Sequence, residues 1–188
     1  SEKTPFLILS FISCLLTLWA QGNAMGSLQT FPLETRLANV LVSYLSYVDK
    51  MVWPAPLAVY YPYQDLIPPA KLAAAVLLLA GVTGLVIRFL KTRPYLAVGW
   101  FWYLGTLLSV IGLVQVGSQA MADRYTYLPL IGLFLMASYA VSEFLSGRRH
   151  SRALLSLSAG IILSLLLSLT WLQLKYWRDS TALFEHAL

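Results

Sequence analysis

Asp123 and Arg124 stand side by side at the start of a long apolar run, in the stretch Gly117-Ser-Gln-Ala-Met-Ala-Asp-Arg-Tyr-Thr-Tyr-Leu-Pro-Leu-Ile-Gly132. A guanidinium at a membrane surface can grip a phosphate through two parallel N–H bonds. The plainer alternative is that Arg124 pairs with Asp123 or a neighbouring loop and only anchors a helix end. Asp123 could serve as a base or a metal ligand, but a lone carboxylate is a weak signal; orienting Arg124 or capping the following helix is the simpler role. Tyr125 and Tyr127 flank the pair. Gln115 and Gln119 lie at the same mouth, able to bond a sugar or a headgroup, or to satisfy loop backbone. A second aromatic set, Trp53, Tyr60, Tyr61 and Tyr63, sits in Trp53-Pro-Ala-Pro-Leu-Ala-Val-Tyr-Tyr-Pro-Tyr63, where three prolines forbid a continuous helix. Those rings could line a polyprenyl or sugar groove by stacking, or form the aromatic belt of a membrane interface.

The elements that must position these residues are set by composition. Of 188 residues, 59% are hydrophobic and 11% charged, and mean hydropathy is +0.70. Soluble domains carry about 25% charged residues, so the chain reads as an integral membrane protein. The net charge of +5 comes from Lys and Arg in short loops between apolar runs, a topology signal that calls for no nucleic acid. Cys14, the single cysteine, can form no internal disulfide.

A membrane-spanning helix needs about 20 mostly apolar residues. Residues 70–90, 95–116, 125–145 and 153–174 qualify, and 5–21 is slightly short, which predicts an all-α polytopic bundle of about five spans. Gly81 and Gly84 offer close-packing points, and Gly105 and Gly112 dot the later part of 95–116. The serines of 153–174 can bond back to their own helix. Leu33–Val52 holds Glu34, Arg36, Asn39, Asp49 and Lys50, too polar for a lipid-exposed span. Its apolar residues Leu37, Val40, Leu41, Tyr44, Leu45 and Val48 recur at helical spacing, which predicts an interfacial helix with that face buried and the charges in water.

Arg88, Lys91 and Arg93 crowd one loop, and Arg148, Arg149 and Arg152 crowd another. With one span between adjacent loops these two fall on the same side, so loops 88–94 and 146–152 are expected to be cytoplasmic. Loops 53–68 and 117–124 and the C-terminus then face the extracytoplasmic side. Glu143, near the cytoplasmic end of its span, is expected to pair with Arg148 or to snorkel. The tail 175–188 carries the cap and apolar pattern of a new helix. The chain starts at Ser1 and ends in mid-pattern, so it reads as a piece of a longer protein. His150 and His186 have no second ligand nearby, and no metal cluster, phosphate-cradling glycine loop or nucleophile–base pattern occurs. The catalytic residues are therefore unassigned.

Ala122-Asp-Arg-Tyr-Thr-Tyr-Leu-Pro-Leu-Ile-Gly132, preceded by Gly112-Leu-Val-Gln-Val-Gly117, resembles a signature of bacterial multi-spanning proteins with C-terminal tetratricopeptide repeats. These are similar to the eukaryotic transmembrane-and-tetratricopeptide-repeat O-mannosyltransferases, which have a GT-C type fold. The Trp53-Pro54 to Tyr61-Pro62 loop, Arg93-Pro-Tyr-Leu-Ala-Val-Gly-Trp100 and Trp177-Arg-Asp-Ser-Thr-Ala-Leu-Phe184 fit the same group. The resemblance implies a bacterial inner-membrane glycosyltransferase that takes sugar from a polyprenyl-phosphate carrier on the extracytoplasmic face. This chain would be its C-terminal membrane half. The catalytic acid, and any divalent metal, would belong to the half upstream. Arg124 would hold the carrier phosphate, supported by Asp123, Tyr125, Tyr127 and Gln119, and Trp53, Tyr60, Tyr61 and Tyr63 would line the groove. The segment 175–188 would open a helical-repeat domain that meets a protein acceptor or partner. Two other readings are a non-catalytic anchor presenting a repeat scaffold and part of a transporter. A transporter should carry internal repeats or mid-span charges, and neither is present.

Overall fold

The computed structural model describes residues 4–20, 32–55, 57–58, 60–62, 67–112, 119–145 and 151–178. Among them the chain is helical apart from one short strand pairing. The helices are α1 (Thr4–Ala20), α2 (Leu33–Val52), α3 (Pro69–Arg88), α4 (Pro94–Leu108), α5 (Tyr127–Leu145) and α6 (Ser151–Leu174). Strands β1 (Tyr61–Pro62) and β2 (Gln119–Met121) pair antiparallel, and a 3-10 turn, Asp123–Thr126, carries the chain from β2 into α5. Proline opens α3 and α4 at their first helical position, where its fixed φ suits the helix and its missing N–H is not needed.

Three helical stretches, Pro69–Arg88, Asp123–Leu145 and Ala153–Leu174, are long and apolar enough to cross a membrane. The protein is thus a helical membrane protein. α1 has 17 residues. α4 has 15 and stops at Leu108, well short of the expected 95–116. Residues after Leu108 turn, and Gly112 adopts a φ of 92°, a left-handed conformation that glycine enters without a Cβ clash. Residues 113–118 lie outside the described part, as do 146–150, 179–188 and Tyr63.

Helix α4 forms the centre. It packs closely on α5 where Gly99 and Gly132 face each other. A Cβ on Gly99 would collide with the Gly132 carbonyl oxygen and come within 2.8 Å of Met136 Cβ; one on Gly132 would come within 2.8 Å of Trp102 Cδ1. Gly81 and Gly84, expected as packing points, have open space where a side chain would go, as does Gly105. Trp102 Nε1 donates to the Leu128 carbonyl at 2.9 Å, and Trp100 Nε1 donates to Thr83 Oγ1 at 2.9 Å, tying α4 to α5 and to α3. Tyr44 of α2 and Tyr103 of α4 exchange bonds: Tyr44 donates to the Leu104 carbonyl at 2.8 Å, and Tyr103 donates to the Tyr44 carbonyl. Their rings meet edge to face, 5.8 Å between centroids.

The buried face of α2 agrees with expectation at Val40 and Tyr44, with Leu41, Leu45 and Val48 half-buried, and differs at its edges. Asn39, Val40, Val42, Ser43, Tyr44 and Tyr47 are inside, while Leu37 is exposed. The polar residues are admitted because the Asn39 amide and the tyrosine hydroxyls find backbone partners elsewhere in the chain, which removes the penalty of burying them bare. Helix α6 presents its leucines and isoleucines outward, and its Ser156, Ser158, Ser168 and Thr170 hydroxyls bond back to carbonyls three or four residues earlier.

Candidate functional site

The 3-10 turn holding Asp123 and Arg124 is fixed from beneath by α2. Asn39 Nδ2 donates to the Ala120 carbonyl at 3.0 Å. The fully buried Tyr47 hydroxyl accepts the Ala122 N–H at 3.0 Å and donates to the Ala122 carbonyl at 3.2 Å. Burial pushes its phenol up to about 12, so it stays a donor at any ordinary pH. From the side the turn is held by β1, where Tyr61 stands opposite Met121. Pro62, with no N–H to give, is tolerable in a pairing this short. Within the turn, Thr126 Oγ1 donates to the Asp123 carbonyl at 2.6 Å.

Asp123 and Arg124 do not pair. The Asp123 carboxylate turns to the proline-aromatic loop, where Oδ2 accepts the Tyr61 hydroxyl at 2.8 Å. That hydroxyl in turn accepts the Ala58 N–H at 2.8 Å. No side-chain hydrogen bond caps the 3-10 turn at Ala122, and the described side-chain bond of Asp123 is the one it accepts from Tyr61 across the loop. Its Oδ1 is buried and accepts no hydrogen bond among the described residues, an omission that costs about 1–3 kcal/mol. Lys50 of α2, expected in water, is half-buried with Nζ 4.5 Å from the centre of the Tyr61 ring. Burial lowers its ammonium below the usual lysine value, with Asp123 and Asp49 pulling the other way. The Tyr61 phenol is raised, first by burial and then by its bond to Asp123.

Arg124 is exposed. Its guanidinium lies 5.2 Å from the centre of the Tyr125 ring and reaches Gln119 Oε1 at 3.4 Å, a long contact. Gln119 Nε2 donates to the Tyr125 hydroxyl at 3.1 Å. Arg124, Tyr125 and Gln119 thus form one group, as the sequence places them. Tyr127 is 82% exposed at the first turn of α5, outside that group. Of the aromatic loop, Tyr61 joins the site, Tyr60 is half-buried beside it in sequence, and Trp53 is exposed. Tyr63 and Gln115 lie outside the described residues. Gln173, near the end of α6, donates to the Leu57 carbonyl at 2.6 Å and so touches the same loop.

Lys50, Tyr47 and Asn39 are the contributors that sequence reading left out of the site. The signal was available: Asn39, Ser43, Tyr47 and Lys50 are spaced by four, four and three, one polar stripe along α2. At the opposite end of the bundle, Glu143 pairs with Arg93 at 2.9 Å and accepts the Tyr95 hydroxyl at 2.6 Å, beside an open groove of about 560 Å³. Its ion pair is therefore with the loop before α4. Arg148, the expected partner, lies outside the described residues.

Chemically, the mouth offers one exposed guanidinium on an aromatic platform, with its acidic neighbour engaged elsewhere. Among the described residues no three His, Cys, Asp or Glu side chains gather to hold a metal ion. No family model and no solved structure matches the chain. Over 68 residues it is 32% identical to protein O-mannosyl-transferase Tmtc2 of Drosophila melanogaster, a match that takes in 36% of this chain and 7% of that protein. The chain thus corresponds to a small part of that relative's length, and it is a partial, weak homologue of an O-mannosyl-transferase.

Proposed function

We propose that the chain is the carrier-binding part of a GT-C type membrane glycosyltransferase, moving a sugar from a polyprenyl-phosphate carrier to an acceptor on the extracytoplasmic face. Mannose is the sugar suggested by the relative's name. The observation that carries the reading is Arg124: an exposed guanidinium at the membrane end of α5, with no carboxylate paired to it among the described residues. In such a transfer the carrier phosphate leaves as the bond to the sugar breaks, and negative charge grows on it. A fixed cation at that point lowers the barrier because it needs no reorganisation as charge develops. The rings of Trp53, Tyr60 and Tyr61 supply apolar faces for the isoprenoid or the sugar. The acid or base that acts on the acceptor belongs to sequence beyond this chain.

In the full-length enzyme, Arg124→Ala should lower transfer from polyprenyl-phosphate mannose by about 10²-fold, the size seen on removing one stabilising donor. Arg124→Lys should recover only part, since the ammonium keeps the charge and loses the two-pronged grip. Unchanged transfer and unchanged affinity for polyprenyl phosphate in Arg124→Ala would refute the reading.

A further inference from the structure

We infer that Tyr61 is a latch that holds the Asp123 carboxylate away from Arg124, so that the guanidinium stays available to an anionic phosphate. The inference rests on the proposed role of Arg124 and gives Asp123 and the Tyr61 hydroxyl a positioning part, separate from the apolar face that the Tyr61 ring offers.

Asp123 and Arg124 are consecutive, and the arginine stem is flexible, so a released carboxylate would find the guanidinium as its nearest strong donor. An ion pair there would compete with phosphate for the same N–H groups. Three features of the structure oppose it. The Tyr61 hydroxyl has its acceptor side taken by the Ala58 N–H at 2.8 Å, which leaves its proton aimed at Asp123 Oδ2, also at 2.8 Å. Lys50 places a positive charge over the same ring, 4.5 Å from its centre, near enough to offset the carboxylate's charge in place of Arg124. Asp123 Oδ1 is left buried without a donor among the described residues, so the carboxylate's direction follows the Tyr61 bond and forgoes a second bond that Arg124 could give. Arg124 meanwhile rests on Tyr125, with only the long contact to Gln119 among the described residues.

The test is a double-mutant cycle in the full-length protein, read as the Kd for polyprenyl phosphate in mixed detergent micelles alongside KM and kcat for polyprenyl-phosphate mannose. Tyr61→Phe frees the carboxylate and should raise Kd and KM about two- to fivefold, the strength of a competing exposed ion pair, with kcat much less affected. Adding Asp123→Asn to Tyr61→Phe removes the competing charge and should bring Kd back toward wild type. If the bond were only structural, the double variant would bind as poorly as Tyr61→Phe or worse, and the latch would be overturned. Should Tyr61→Phe fail to fold, Asp123→Glu replaces it: the longer arm carries the carboxylate past Tyr61 to Arg124 and should raise Kd, and an unchanged Kd overturns the latch. Arg124→Ala separates the two ideas. If it leaves Kd unchanged, the phosphate reading itself falls; if it raises Kd while Tyr61→Phe and Asp123→Glu do not, that reading stands and the latch alone is lost.

Discussion

The chemistry of the mouth depends on hydroxyls that the lipid-facing part of the chain does not supply. Tyr47 is the clearest case: one buried phenol serves both the N–H and the carbonyl of Ala122, the residue before Asp123. Tyr47→Phe leaves both groups buried without that partner. It should destabilise the folded protein by about 1–3 kcal/mol, read as a lower Tm in detergent, and should weaken carrier binding in parallel because the turn loses its support. The pH behaviour follows from Tyr61. Its raised phenol means the proton is held more tightly in the folded chain than in the unfolded one. Its contribution to stability is therefore complete below pH about 10, the unfolded value, and falls as the pH rises above it. Denaturation midpoints of wild type and Tyr61→Phe should differ by a constant amount from neutral pH up to about 10 and converge above. Asp123, Arg124, Tyr125 and Gln119 were legible as a group in the sequence because they are close along the chain. The partition of Asp123 from Arg124 was not, since Tyr61 lies 62 positions away and nothing in local spacing reveals it.

At the scale of elements, the pivotal contact is α4 against α5. Gly99→Ala must push apart two backbones that touch through Gly132, and should cost about 1–3 kcal/mol, the usual penalty of overpacking. Gly81→Ala, on α3 with open space around it, should be neutral or stabilising by up to about 1 kcal/mol, since alanine is the better helix former. Comparing the two Tm shifts checks the assignment. In the sequence these glycines look alike, each set in an apolar run. What separates them is which helix lies opposite, and that is decided by the large rings around them, Trp100, Trp102 and Tyr103, whose indole and phenol donors need carbonyl or hydroxyl partners. The same rings concealed the shortness of α4. Apolar content continues past Leu108, but the regular helix does not. The α2 helix was legible in its extent and its buried face in part: Val40 and Tyr44 lie inside as their spacing predicts, whereas Asn39 and Ser43 count as polar until the contacts that admit them are known.

For the whole molecule, the topology proposed from the basic loops can be tested directly. In a background with Cys14→Ser, Trp53→Cys should react with a membrane-impermeant maleimide added to intact cells, and Lys91→Cys only after permeabilisation. Labelling of both from the same side would exclude the proposed arrangement and with it an extracytoplasmic Arg124. That the chain is a helical membrane protein was plain from composition and run length. The strand pairing was invisible, because β1 and β2 together involve five residues and neither carries an alternating pattern.

The pairing of β1 with β2 also dictates an order of events. Tyr61 and Asp123 are joined across a stretch that contains all of α3 and α4. As the chain is synthesised, the proline-aromatic loop emerges first, beside Lys50 of α2, and β2 and Asp123 follow only after α3 and α4 have been made. Closing so long a loop is entropically costly unless the helices have already packed and brought its ends together. The mouth around Asp123 and Arg124 is therefore a late product of assembly, formed only in chains whose α4 and α5 have docked. A packing defect at Gly99 should appear as membrane-inserted protein in which the proposed phosphate site never forms.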